Sequence, residues 1–95
     1  MKKSYEALSR LGNALDLPLS YAAGLPLVEL RGYDLVRVEG HRGVLEYGET
    51  RVELGSAGAR IRITGHGLGL KALSVGQAVV TGQIGAVEFV PEEAP

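Results

Sequence analysis

The sequence contains no cysteine, and aromatic residues make up only 5% of its 95 residues. Without cysteine there is no disulfide, no thiolate metal site and no cysteine nucleophile. The shortage of aromatic residues counts against single-strand nucleic-acid binding, because such sites stack bases on aromatic rings. The formal net charge of −1 points the same way, since binders of nucleic acid or anionic membranes usually carry a basic excess.

Long apolar runs are missing as well. No stretch approaches the roughly 18 apolar residues that indicate a membrane-spanning helix. The first ten residues, MKKSYEALSR, have the paired lysines of a signal peptide, but Glu6, Ser9 and Arg10 interrupt any apolar region. These features predict a soluble, cytoplasmic protein with no transmembrane segment of its own.

Glycine, in contrast, is abundant, with 14 residues. From Leu27 onward, apolar and polar residues alternate in short segments, as in Leu35–Glu39 and Arg60–Thr64, and glycine-containing breakers separate these segments. The pattern predicts a mainly β domain over residues 25–90, with short antiparallel strands in a meander that forms a roll or sandwich. A β-solenoid is the alternative, because a near-regular period with glycine at the corners is also typical of solenoids.

The two ends of the chain have different patterns. Residues 2–15 carry an apolar stripe at helical spacing, and two prolines mark the segment that follows as extended. We therefore predict an N-terminal helix and connector over residues 1–24. The last residues, 91–95, are expected to be a solvated tail.

The sequence EGHRGVLEYG, residues 39–48, is the most distinctive polar stretch. A histidine beside an arginine could transfer protons or bind an anion, but no nucleophile or second base lies nearby in the sequence. The simpler interpretation is a strand-connecting turn in which the glycines supply positive φ and His41 bonds to backbone. We predict that His41, Arg42, Gly43, Glu46 and Tyr47 form a turn or interaction site, with no catalytic residue.

Two further patterns bear on a metal or cofactor site. The chain has two histidines, His41 and His66, and with no cysteine they do not make a zinc-ligand pattern. The glycine-rich sequence GHGLGL, residues 65–70, lacks the following helix that a phosphate-binding fingerprint requires. The sequence therefore predicts neither a metal nor a cofactor.

Five arginines fall on the polar phase of the predicted strands, and they could bind the phosphates of a nucleic acid as oligonucleotide-binding barrels do. Glutamates fall on the same phase, so cross-strand ion pairing on a solvated face is the favoured interpretation. A small β-barrel that binds a ligand or single-stranded nucleic acid through this face remains the alternative function. The arginines are Arg31, Arg37, Arg51, Arg60 and Arg62.

Several blocks, in order and spacing, resemble the YabP/YqfC family of small sporulation proteins. The segment VEGHRGVLEY, residues 38–47, resembles the family pattern V/I-E-N-H-R/K-G-I/V-L-E-Y, with Gly40 where asparagine is expected. The segments IRITGHGLGL (61–70) and VTGQIGAVEF (80–89) resemble two further blocks. The LDLP lead-in at residues 15–18 is similar to the YqfC branch, so the resemblance covers about residues 15–90.

This resemblance implies a non-enzymatic protein of the mother cell that acts in endospore envelope or coat morphogenesis. It also implies a partner, a YqfD-like membrane protein, and so a peripheral position at the forespore outer membrane. We expect function by protein–protein docking, through the helix, the His41–Arg42 corner or an open strand edge. Self-association by edge pairing is a further expectation.

Overall fold

The computed structural model describes residues 24–92. The predicted N-terminal helix and most of its connector lie outside the described residues. Within residues 24–92 the structure contains no helix with the length and apolar character needed to cross a membrane.

The described residues form one six-stranded antiparallel sheet with the order β1-β2-β6-β5-β4-β3. The prediction of a mainly β, antiparallel domain is confirmed. The solenoid alternative is wrong, because solenoid coils pair in parallel and every pairing here is antiparallel. The strands are β1 (Leu27–Arg31), β2 (Leu35–Glu39), β3 (Val44–Tyr47), β4 (Arg51–Gly55), β5 (Ala59–Ser74) and β6 (Gln77–Pro91).

The strand order departs from a simple meander at one point. After β2, the chain crosses to the opposite edge of the sheet to form β3, and β2 pairs instead with β6. The expected sandwich of two sheets is also absent from the described residues, where all six strands share one open sheet. The reason is that segments predicted as separate short strands merge into the long hairpin of β5 and β6, of 16 and 15 residues.

The long hairpin is interrupted near its middle by three shifts of register in β5–β6 pairing, between residues 64 and 72. Such bulges bend a sheet. Gly82, at φ +132°, lies here, and a Cβ atom at this position would come within 2.6 Å of the carbonyl oxygen of Gly67. The β1–β2 turn and the β3–β4 turn both bond to this region. Ile84 N donates to Tyr33 O in the first turn, and Leu68 N donates to Glu49 O in the second.

This bend divides the sheet into two halves. The first half contains β1, β2 and hairpin residues 69–81, and the second contains β3, β4 and the flanking hairpin residues 59–64 and 84–91. Both halves contribute to a single core, so the halves depend on each other. Its buried members are Val36, Val38, Val52, Leu54, Ile61, Ile63, Leu68, Ala78 and Val80.

The core follows the alternation visible in the sequence. Val36 and Val38 are fully buried, and their pairing partners on β6, Val80 and Ala78, are buried on the same face. Each fully buried valine contributes about 1.5–3 kcal/mol relative to exposure. The opposite face of each strand carries the charged residues.

Candidate functional site

Residues 40–43 form the corner where the chain passes from the first half of the sheet to the second. Gly40 N donates to Gly76 O at 2.6 Å, which joins the corner to the β5–β6 turn. Two residues later, Arg42 N donates to Gly55 O at 2.8 Å, and Gly55 N donates to Gly43 O at 2.9 Å. These bonds attach the corner to the end of β4, so it holds both halves together at this end of the molecule.

His41 is the buried side chain of this corner, with 8% of its surface exposed. Gly43 N donates to its Nδ1 at 2.9 Å, and its Nε2 lies 3.1 Å from Ser74 O. Because the backbone N–H can only donate and the carbonyl can only accept, Nδ1 must be the acceptor and Nε2 must carry the proton. The ring is therefore a neutral tautomer whose two nitrogens both bind backbone, and neither is free for a substrate or a metal.

The backbone conformation on both sides of His41 favours glycine. Gly40 has φ +89° and Gly43 has φ +115°, a region that side chains with a Cβ seldom adopt. At Gly40 a Cβ would also lie 3.2 Å from the Cα of Pro26. Gly40 thus suits both the conformation and the narrow space.

The outer side of the corner carries a surface that we call the corner patch: the exposed residues Arg42, Leu73 and Val75 with the half-buried Val44. Val75, at the tip of the β5–β6 turn, is completely exposed, and Leu73 is 53% exposed. These residues border a shallow, solvent-open depression of about 380 Å³. The guanidinium-bearing Arg42 side chain is exposed beside them.

Glu46 and Tyr47 were predicted to belong to the same site, but the structure places them farther along β3. Glu46 Oε2 accepts a hydrogen bond from Arg51 Nε at 3.3 Å. The Tyr47 hydroxyl oxygen accepts from Leu70 N at 3.3 Å, and the side chain is 57% exposed. The residues of the corner and these two strand residues therefore have different neighbours.

Glu53 is a charged residue that the sequence did not single out. Its side chain is only 4% exposed, although it lies on the polar face of β4. Arg62 Nε donates to its Oε2 at 2.9 Å, Arg60 approaches Oε1 at 3.3 Å and Arg51 approaches Oε2 at 3.5 Å. The hydrogen bond from Arg62 is the main cause of a lowered pKa for Glu53; burial opposes the shift, and the charges of the three arginines add to it.

The first half of the sheet carries a second charged network centred on Arg37. Arg37 Nε lies 2.9 Å from Glu29, and another of its nitrogens lies 3.0 Å from Glu39. The predicted cross-strand ion pairing is thus present in both halves. Arg31 is the only one of the five arginines without a carboxylate within 4 Å among residues 24–92.

Across the same residues, no three histidine or carboxylate side chains come close enough together to hold a metal ion. His41 and His66 also differ in environment, since His41 is buried in the corner and His66 is exposed at the bend.

No curated protein and no solved structure matches the chain significantly. The model of the YabP family matches residues 26–95, a range that takes in all six strands and the corner. Since the match covers most of the sequence, the chain belongs to the YabP family, a membership that indicates a sporulation-related protein.

Proposed function

We propose that this chain is a non-enzymatic protein of endospore envelope or coat morphogenesis that docks onto another protein through the corner patch. The observation that carries the proposal is the complete exposure of Val75 at a turn whose backbone is held by the corner. Single exposed apolar residues are common on protein surfaces, but here Leu73, Val75 and Arg42 border one depression. Arginine is one of the residues enriched at the centres of binding interfaces.

His41 supports this surface without taking part in the contact. Its Nε2 binds Ser74 O, one residue before Val75, and its Nδ1 fixes the backbone of Gly43. A turn held in one conformation loses less entropy on binding than a mobile turn. His41 is therefore proposed as a positioning residue for the patch, and the same engagement of both ring nitrogens is the reason for proposing no catalytic role.

The proposed partner is a YqfD-like membrane protein, which would hold the chain at the forespore outer membrane in the mother cell. Arg42 and the two apolar side chains suit a partner surface that offers an apolar pocket with a carboxylate at its rim. The chain itself would remain peripheral.

The test is co-expression of the full chain with the YqfD-like protein, followed by affinity purification from detergent-solubilised membranes. We expect the wild type to retain the membrane protein and the Arg42→Glu/Val75→Asp variant to lose it. A matched control is Tyr33→Asp, which places the same acid on an 81% exposed aromatic in the β1–β2 turn, outside the patch. Circular dichroism would verify that every variant is folded.

Retention of the membrane protein by the patch variant would contradict the assignment of the surface. Loss of retention by the Tyr33→Asp control as well would show that the effect is not specific to the patch. If the wild type retained nothing, the choice of partner would be wrong.

The alternative function, ligand or single-stranded nucleic-acid binding by the arginines, has less support. Arg37, Arg51, Arg60 and Arg62 are each within 4 Å of a glutamate, which lowers the positive potential that a phosphate backbone would meet. Fluorescence anisotropy with a labelled oligonucleotide would decide the matter. Strong binding that weakens steeply with added salt would favour the alternative over docking.

A further inference from the structure

The two edges of the sheet, β1 and β3, differ in how well they are protected. An edge strand exposes unpaired backbone N–H and C=O groups, and bulges or short length reduce its tendency to pair with another strand. β3 has four residues and a register shift between Val44 and Glu46. β1 pairs with β2 over all five residues without interruption, so its other side, which no strand of residues 24–92 covers, is a regular template.

The hydrogen-bonding pattern shows which residues of β1 direct their backbone N–H and C=O groups away from β2. Gly40 N, directly after β2, donates to Gly76 O, directly before β6. Because successive residues of a strand direct their backbone groups to alternate sides, the even-numbered residues of β2 bond to β6. The odd-numbered residues of β2 therefore bond to β1, where they are paired with Leu27, Glu29 and Arg31. The residues between these, Val28 and Leu30, direct their N–H and C=O groups away from the sheet.

A second β1 can pair antiparallel with this edge about a two-fold axis in a few registers only. If Val28 lies opposite the partner's Leu30, then Glu29 lies opposite the partner's Glu29, and like charges directly opposite are unfavourable. If Val28 lies opposite itself, the partner's Leu30 faces Pro26, which has no N–H to donate. The remaining register places Leu30 opposite itself.

In that register Glu29 lies opposite the partner's Arg31, and by symmetry this pair occurs twice. Among the five strand arginines, Arg31 is also the one that lacks a carboxylate partner within residues 24–92. Gly32 would lie opposite the partner's Val28, where the absence of a side chain leaves room. In this register, the charged residues of one β1 edge thus lie opposite residues of opposite charge in the second copy.

The apolar residues of the edge favour the same arrangement. Val28 and Leu30 lie on the face of the sheet that carries the core, because they are paired with Val38 and Val36. Leu30 is nevertheless 58% exposed. At the two-fold axis the two Leu30 side chains would meet on the core face and extend the buried layer across the interface.

We propose that two copies of this chain associate through β1, with Leu30 on the two-fold axis and Glu29 opposite the partner's Arg31, to form one continuous antiparallel sheet. This association uses a surface other than the corner patch, so it does not depend on the proposed docking function.

The first test is the mass of the full chain in solution, measured by sedimentation equilibrium over a wide range of protein concentrations. The chain of 10.0 kDa should approach twice this mass as the concentration rises. Leu30→Pro should remain a monomer, because proline removes an N–H that points outward and is tolerated on a free edge. Thermal unfolding would verify that this variant folds. A wild type that is monomeric at every concentration, or a Leu30→Pro variant that still dimerises, would overturn the proposal.

The second test addresses the register through paired charge reversals. Arg31→Glu and Glu29→Arg each place like charges opposite each other twice, so each should raise the dimer dissociation constant by about tenfold or more. An equimolar mixture of the two variants should form a heterodimer, because every opposed pair is then complementary. Lys71→Glu, on an exposed residue outside β1, is the matched control and should dimerise like the wild type.

Two outcomes would count against the register. Homodimers of the charge-reversed variants as stable as the wild-type dimer would show that these residues are not opposed. Failure of the mixture to recover association would lead to the same conclusion. Neither result would affect the corner-patch experiment, whose variants lie elsewhere.

Discussion

The two halves of the sheet carry ion networks of opposite design. In the second half, one glutamate, Glu53, is surrounded by three arginines and its side chain is 4% exposed. In the first half, one arginine, Arg37, lies between two glutamates and its side chain is 43% exposed. Both central residues lie on strands with a neighbour on each side, so position in the sheet does not explain the difference.

The length of the side chains does explain it. A glutamate among arginines is shorter than its neighbours, and their aliphatic stems cover it while their charged ends remain in water. An arginine among glutamates is longer than its neighbours and extends past them into solvent. A buried charge needs its partners in order to remain stable, whereas an exposed pair contributes little. The same alternation of charges should thus produce one network whose loss destabilises the fold and one whose loss costs little.

The largest effect is expected from Gly82→Ala, which would disturb the bend that separates the two halves. The new Cβ would lie 2.6 Å from Gly67 O, and the residue would also have to keep φ +132°. We expect a loss of about 2–4 kcal/mol in the free energy of unfolding, measured by urea denaturation.

Gly58→Ala is the control for this variant, because Gly58 has φ +80° but no atom within 4 Å of a new Cβ. It should cost only about 1–2 kcal/mol, the price of the backbone conformation alone. Equal losses in the two variants would mean that the close approach at the bend is not a constraint.

The next-largest expected effect is the difference in lost unfolding free energy between matched variants of the two networks. Glu53→Gln leaves three arginines around a neutral amide, so it should destabilise the fold clearly more than Glu29→Gln does. Glu29→Gln removes a pair whose side chains are 43% and 53% exposed and should cost about 0–1 kcal/mol. Urea denaturation at neutral pH measures both. Equal losses would show that the burial of Glu53 does not make its network more important.

The smallest effect is a pH dependence that belongs to Glu53. Its pKa in the folded chain lies below the ordinary value of 4.5, so its ionised form stabilises the fold above pH 4.5. That stabilisation is lost as the pH falls through the lowered pKa. The difference in unfolding free energy between wild type and Glu53→Gln should therefore shrink on acidification below 4.5.

Measuring the same difference for Glu29→Gln provides the comparison for this pH series. The wild type contains other carboxylates that also titrate, and taking differences between variants removes their shared contribution. A Glu53→Gln difference that stayed constant down to strongly acidic pH would contradict the lowered pKa.

Much of the local structure could be predicted from the sequence. Alternation placed Val36, Val38, Val52, Leu54, Ile61 and Ile63 on the apolar phase, and all six are fully buried. Leu30, Leu45, Tyr47 and Phe89 alternate in the same way and are more than half exposed. Alternation separates the two faces of a strand, because successive side chains point to opposite faces, but it does not show which parts of a face are covered. Gly40 and Gly43 were expected to supply positive φ beside His41, and both do.

The glycine-rich sequence at residues 65–70 shows where such reasoning ends. Its glycines fit a kinked hairpin between two short strands, but these residues lie inside β5 at the bend. Glycine marks a connecting turn and a close approach of two strands equally well. Only the partner segment around Gly82, far along the sequence, distinguishes the two.

By itself, the sequence determined the β class, the alternation of faces along the strands and the presence of cross-strand ion pairs. These depend on neighbours a few residues apart and on the alternation of side chains along a strand. The tertiary structure alone decided the pairing of β2 with β6, the burial of Glu53 beneath its arginines and the outward direction of the Val28 and Leu30 backbone groups. Each of these depends on which strand lies beside which and in what register, and that is set by contacts between residues distant in the chain.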